Sequence, residues 1–365
     1  MTLNILLTIS IFIVHLWPCN GKDIQYSDRI MSKISGDWFG ESLATSHQRL
    51  VVGAYFGKYI YVVPGVKFRP PQGYQFGEKL DVKEHFIVAS CKGPHSVCIF
   101  SANRPFALVG RIPLEEERVE DVKLSDNNII VAARKTHVSI YDYGNPPSWY
   151  KHQRIVLKDY QYGGISLAVS GNIMAVGYGE GQQRGQVKIY KNVHNQYIFT
   201  VTLQPTEHVV LFGLSVAMDG PNLVVSSVKS SYSFESILFT YQFDPSTHKW
   251  TKNGRFIVPG SDGESTVSLQ NDTFAATVNL NKHLQDREVC GYVYKLSNSN
   301  NHTSVSNNIR YNWKKVATLK TNGVPTTDTQ LQSDIRVQDG LIFTGRMDWQ
   351  RYGHGTVFVH DIIKH

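Results

Sequence analysis

The sequence is short of cysteine, of long apolar runs and of charge in blocks, and each shortage removes a class of protein. Four cysteines in 365 residues exclude a disulfide-dense scaffold, and none has zinc-ligand spacing. Past the N-terminus, no stretch approaches the roughly 20 apolar residues of a membrane-spanning helix. Lys and Arg outnumber Asp and Glu for a net charge of +7, but they never gather into a dense run. A solvated basic surface explains that balance better than a nucleic-acid groove does, and it also suits an anionic glycan or cell surface. There is no His-Glu-x-x-His, no Gly-x-Ser-x-Gly and no phosphate-binding glycine loop. The histidines are scattered singly; His137, His208 and His354 fall near strand ends, where core or surface roles are usual. Helical periodicity is also missing: apolar residues alternate in short runs bounded by Gly, Pro, Asn and Asp, which predicts strands. No cofactor is implied.

The one long apolar run is Leu3 to Leu16, closed by Trp17 and Pro18. It is too short to span a bilayer and has the length of a signal-peptide core, although no Lys or Arg precedes it. Small residues at Cys19 and Gly21 place cleavage after Gly21. A buried N-terminal strand or anchor is the alternative. Residues 1–21 as a signal peptide imply that residues 22–365 work outside the cytosol. In that compartment a hairpin around KGPHSV could bring Cys91 and Cys98 within disulfide reach, with two reduced thiols as the other reading. Cys290 is then left as a buried free thiol.

The rest of the chain is repetition. Units begin near residues 34, 74, 115, 160, 208, 261 and 327. Each opens with an apolar strand, a tight polar turn and a second apolar strand ending in small residues, as in FGESLATSHQRLVVGA (Phe39 to Ala54). A third strand rich in aromatic and β-branched residues follows (YIYVV, VSIYDY, VKIYK), then a fourth, often opened by an aromatic (WYKHQRIVL, QYIFTVTL). Four strands per unit at this period predict an all-β, seven-bladed β-propeller of four-stranded antiparallel blades. The last unit shows three strands, and Asp23 to Met31 reads as an outer strand with no blade before it. Pairing the two closes the ring and removes exposed edges.

Phe-Gly, then Ser-Leu-Ala, then Val-Val-Gly-Ala in Phe39 to Ala54 resembles the FG-GAP repeat of integrin α chains. The resemblance is partial in Tyr162 to Gly179 and Phe212 to Ser227 and faint elsewhere. It implies an extracellular ligand-binding or adhesion propeller. The calcium loop of that family, Asp-x-Asp-x-Asp-Gly-x-x-Asp, has no counterpart. Asp126, Asp219 and Asp339 sit in turns too short to assemble six to eight oxygen ligands, so no metal is expected.

Acidic residues on the predicted inner strands are Glu41, Glu78, Asp81, Asp121 and Asp334. No motif singles out a pair for glycoside hydrolysis, and they read as solvated rim charges. Sequons at Asn271 and Asn301 place candidate glycans on one face. The opposite face carries the loops joining second to third strands, which lengthen in the last four units. They hold Arg184, Tyr232, Arg287, Trp349, Arg351 and Tyr352, of types enriched at binding hot spots, or else packed between loops. The reading is a secreted, non-catalytic propeller that binds an extracellular protein or glycan, with no nucleic-acid partner and no membrane span. A propeller glycoside hydrolase or a structural matrix glycoprotein is the alternative.

Overall fold

The computed structural model describes residues 23–362 except 26–27, 32–36, 47–48, 64–65, 70–74, 93–94, 115–117, 134–136, 143–148, 158–163, 179–183, 231–234, 259–260, 262–264, 279–288, 299–310, 322–329 and 349–354. They form seven antiparallel blades arranged as a closed β-propeller. Blade one runs inward to outward through Phe39–Ser46, Arg49–Ala54, Tyr59–Val63 and Val66–Phe68. The inner strands of blades two to seven are Gln75–Lys83, Val119–Leu124, Ile165–Ser170, Val216–Asp219, Val267–Gln270 and Gln330–Gln338. Each inner strand packs against the inner strands on either side, and blade seven packs against blade one, which closes the circle.

The strands form where β-branched and aromatic side chains alternate, and they stop at residues that tolerate a left-handed backbone. Gly171, Gly220, Asn271 and Asp339 all have positive φ in the turns between first and second strands. Blades three to six repeat a register shift between third and fourth strands just before Tyr141, Tyr190, Tyr241 and Tyr294. Such bulges add local twist.

The core is divided among the blade interfaces. Seven apolar clusters each fill the gap between two neighbouring blades, from Phe39, Leu43 and Phe343 between seven and one to Ala275, Leu319 and Ile335 between six and seven. Each interface also carries a side-chain to main-chain hydrogen bond at the inner strands or just before them. The Ser42 hydroxyl donates to the Gly77 carbonyl (2.5 Å), and the Ser166 hydroxyl to that of Gly213 (2.8 Å). Asp81 accepts from Leu124 N–H (2.8 Å), Asp121 from Leu167 (2.8 Å) and Asp334 from Leu43 (2.8 Å). Ser215 accepts from Val267 (3.1 Å) and Ser268 from Val337 (3.0 Å).

Two sequence expectations change here. Asp81, Asp121 and Asp334 are not solvated rim charges: each is spent on the next blade's backbone, and Asp334 is buried. A carboxylate is the acceptor that satisfies an inner-strand N–H most strongly. The segment Asp23 to Met31 is also not one outer strand. Asp28–Met31 pairs antiparallel with Thr356–Asp361 and completes blade seven, whereas Asp23–Gln25 pairs in parallel with Tyr311–Lys320 as a fifth strand on blade six. The segment therefore clasps two blades.

Removing residues 23–31 should lower the thermal midpoint by many degrees, because it strips the outer edge of blade seven and unclasps it from blade six. Calorimetry of the truncated chain checks this; an unchanged midpoint contradicts it.

Candidate binding face

Inner strands enter the ring on the face that also carries the turns between second and third strands. Arg184 lies there, exposed, at the junction of blades four and five, where its carbonyl accepts Phe212 N–H at 3.0 Å. The base of the next loop is pinned by Lys229 and Glu235, through a 2.6 Å ion pair and a main-chain bond of 2.8 Å. Tyr232, Arg287, Trp349, Arg351 and Tyr352 lie outside the described residues, as does Asn301. Asn271 is exposed in a turn on the opposite face, and its N–H donates to Asp219 at 2.5 Å.

Cys91 and Cys98 form a disulfide, with Cα atoms 6.1 Å apart, at the base of the blade-two loop on the entry face. Cys91 lies opposite Ser96 and Cys98 opposite Ala89, so the bond runs diagonally across two neighbouring strands.

A second constellation on this face had no motif to announce it. Glu41, Glu78 and Glu120 occupy one position in blades one, two and three, each two residues before the core residue Leu43, Leu80 or Val122. The Arg118 guanidinium pairs with Glu78 and interacts with Glu120 and Tyr55. Glu41 is half-buried, and its Oε2 is shielded from solvent without a hydrogen-bond partner. Burial first, and then the Glu78 carboxylate, push its carboxyl from 4.5 up to about 8; Lys79 and Arg118 pull the other way. Beside these groups, Trp38 packs against Phe56 with the rings tilted (centroids 4.2 Å, 53° between planes) and Tyr55 meets Phe56 edge-on at 5.3 Å. The clue in the sequence was the repeated Phe-Gly-Glu at Phe39 and Phe76, whose glutamates read as generic rim charges.

A nucleophile-like group also occurs, between blades six and seven. Cys290 Sγ lies 3.8 Å from His360 Nε2 and from Thr344 Oγ1. All three are buried, and burial pushes the thiol up to about 12. A protonated, solvent-excluded thiol is an inert core group, as expected for Cys290. Among the described residues no three His, Cys, Asp or Glu side chains gather as a metal site, and no helix is long and apolar enough to cross a membrane. Asp126 is engaged by Lys83, Asp219 by Asn271 and Asp339 by Gln270, so these turn acids link blades.

The raised Glu41 carboxyl makes stability depend on pH. The folded protein keeps a proton that the unfolded chain releases above pH 4.5, so this group lowers stability progressively from pH 4.5 to about 8, with no further loss above that. Glu41→Gln should flatten that part of the profile and exceed the parent in stability at pH 8. Urea midpoints of both proteins between pH 5 and 9 measure the difference; parallel profiles would contradict it.

No protein-family model and no curated protein matches the sequence, whereas solved structures match its fold. A chain of the mitotic checkpoint complex aligns with a TM-score of 0.62 at 12% identity, over 96% of this chain and 95% of that one. The streptogramin B lyase structure aligns at 0.58 and 10% identity, over 91% and 97%. At such identities the likeness establishes the architecture alone. A checkpoint-complex chain and a lyase both align with it, so architecture does not separate binder from enzyme. The chain is a seven-bladed β-propeller.

Proposed function

We propose that this chain is a secreted, non-catalytic propeller of the FG-GAP type that binds an extracellular protein or glycan through its long-loop face. The observation carrying this reading is the use made of the inner-strand acids. Hydrolysis of a glycoside needs two carboxyl groups free to face the bond. Asp81, Asp121 and Asp334 hold neighbouring blades together, and Glu78 is held by Arg118. The propeller fold is compatible with a protein-binding role, and loops on such a rigid ring are suited to recognition.

The FG-GAP assignment draws support from the glycines. Gly40, Gly77 and Gly213 of the Phe-Gly pairs have φ near +90°, a conformation that favours glycine (+89°, +88° and +93°). A Cβ on Gly53 would sit 2.2 Å from the Gly77 carbonyl, and one on Gly177 would sit 2.3 Å from that of Gly213. Secretion draws support from the N-terminal apolar run and from the Cys91–Cys98 disulfide, a bond that persists in oxidising compartments. The hydrolase alternative keeps one observation in its favour: Glu41 and Glu78 are neighbouring carboxyls with opposed environments.

Expressed from secretory cells, the protein should reach the medium with Lys22 at its N-terminus and the disulfide intact. N-terminal sequencing and mass measurement with and without reductant check both, and retention in the cells contradicts the reading. Asn271→Gln should remove one glycan on a denaturing gel. For a partner found by a cell-surface and glycan-array screen, a Trp349→Ala, Tyr352→Ala double variant should lose ~1–3 kcal/mol of binding free energy. Arg184→Ala should add to that loss. Full affinity in these variants would defeat the assignment of the face. Release of reducing sugar from oligosaccharides would favour the hydrolase.

A further inference from the structure

The cluster where blades one to three enter the ring has the makings of a second recognition site, separate from the long loops. Phe56 lies in the tight turn between second and third strands of blade one and is 46% exposed. Trp38 backs it, and Tyr55 braces its edge. An exposed aromatic held this firmly presents an apolar plate of low entropy cost. The plate is continuous with the polar groups. Glu41 N–H donates to the Trp38 carbonyl at 3.3 Å, and Tyr55 interacts with Arg118, which holds Glu78.

The polar side of the cluster is balanced. Arg118 and Lys79 supply two positive charges, and Glu78 and Glu120 two negative ones. Glu41, facing these groups, keeps its proton at neutral pH and adds a donor without a charge. A cation or an anion would meet as many like charges as unlike. A neutral ligand with one apolar ring face and hydroxyls around its edge would use everything present. Its C–H face fits the aromatic plate, and its hydroxyls can both give and accept hydrogen bonds.

We propose that this cluster binds a neutral pyranose residue of an oligosaccharide, with the ring against Phe56 and Trp38 and the hydroxyls on Glu41, Glu78 and Arg118. The site shares the entry face with the proposed interface but uses none of its residues. Failure here therefore leaves the long-loop reading standing, and the converse also holds.

The test titrates the purified full chain with maltohexaose, chitohexaose and laminarihexaose in turn, by calorimetry and tryptophan fluorescence. At least one should bind and alter the fluorescence. Trp38→Ala and Glu78→Gln should weaken it at least tenfold, and Arg184→Ala should leave it unchanged. Phe56→Ala, which removes an exposed side chain, separates loss of binding from loss of fold: it should weaken binding while keeping the parent's thermal midpoint. Binding of none of the three sugars would overturn the proposal. So would full affinity in Phe56→Ala and Trp38→Ala, or tighter binding of a heparin hexasaccharide than of all three.

Discussion

An inner strand of a propeller has a strand neighbour on one edge only, and its other edge faces the channel and the adjoining blades. Its unpaired N–H and C=O groups must find partners, because a buried main-chain group left unpaired costs ~1–3 kcal/mol. Here a short polar side chain of one blade meets the main chain of the next at each of the seven interfaces. The apolar clusters between blades supply most of the burial, while these bonds set the distance and register at which it occurs.

Several sequence features follow from that geometry. Where a serine hydroxyl reaches a glycine carbonyl, the two backbones come so close that the second strand needs Gly53 or Gly177, and the receiving residue needs the positive φ of Gly77 or Gly213. The Val-Gly pair of one repeat unit and the Phe-Gly pair of the next are thus the two sides of a single contact. Asp121 and Asp334 fill the position of Ser42 and Ser166 where the next blade offers an N–H rather than a carbonyl. The N-terminal segment solves the remaining edge problem at the junction of first and last blades by pairing with two blades at once.

The entry face inherits what this scheme leaves over. One step earlier along the inner strands come Glu41, Glu78 and Glu120; Arg118 occupies Glu78, and Glu41 keeps an oxygen shielded from water. The same rigid ring brings Trp38 and Phe56 beside them. The Cys290–His360–Thr344 group shows the opposite case, a chemically suggestive set sealed inside an interface where burial silences it.

The seven units, the alternation within their strands, the turn residues and an N-terminal strand that completes the last blade were legible in the sequence because they depend on local periodicity and backbone conformation; that the same segment also pairs with blade six was not. The Cys91–Cys98 pairing was legible as one of two outcomes, since a short hairpin limits how far two thiols can separate. What an acid on an inner strand does was not legible, because Asp334 and Leu43 are 291 positions apart and meet only when the ring closes. Nor could spacing join Glu41, Glu78, Arg118 and Tyr55, which come from three blades. Sequence by itself determined the repeat and its strands, because these rest on interactions between near neighbours in the chain. Only the closed ring decided which polar side chains hold it together and which face a ligand, because that depends on what the neighbouring blade presents.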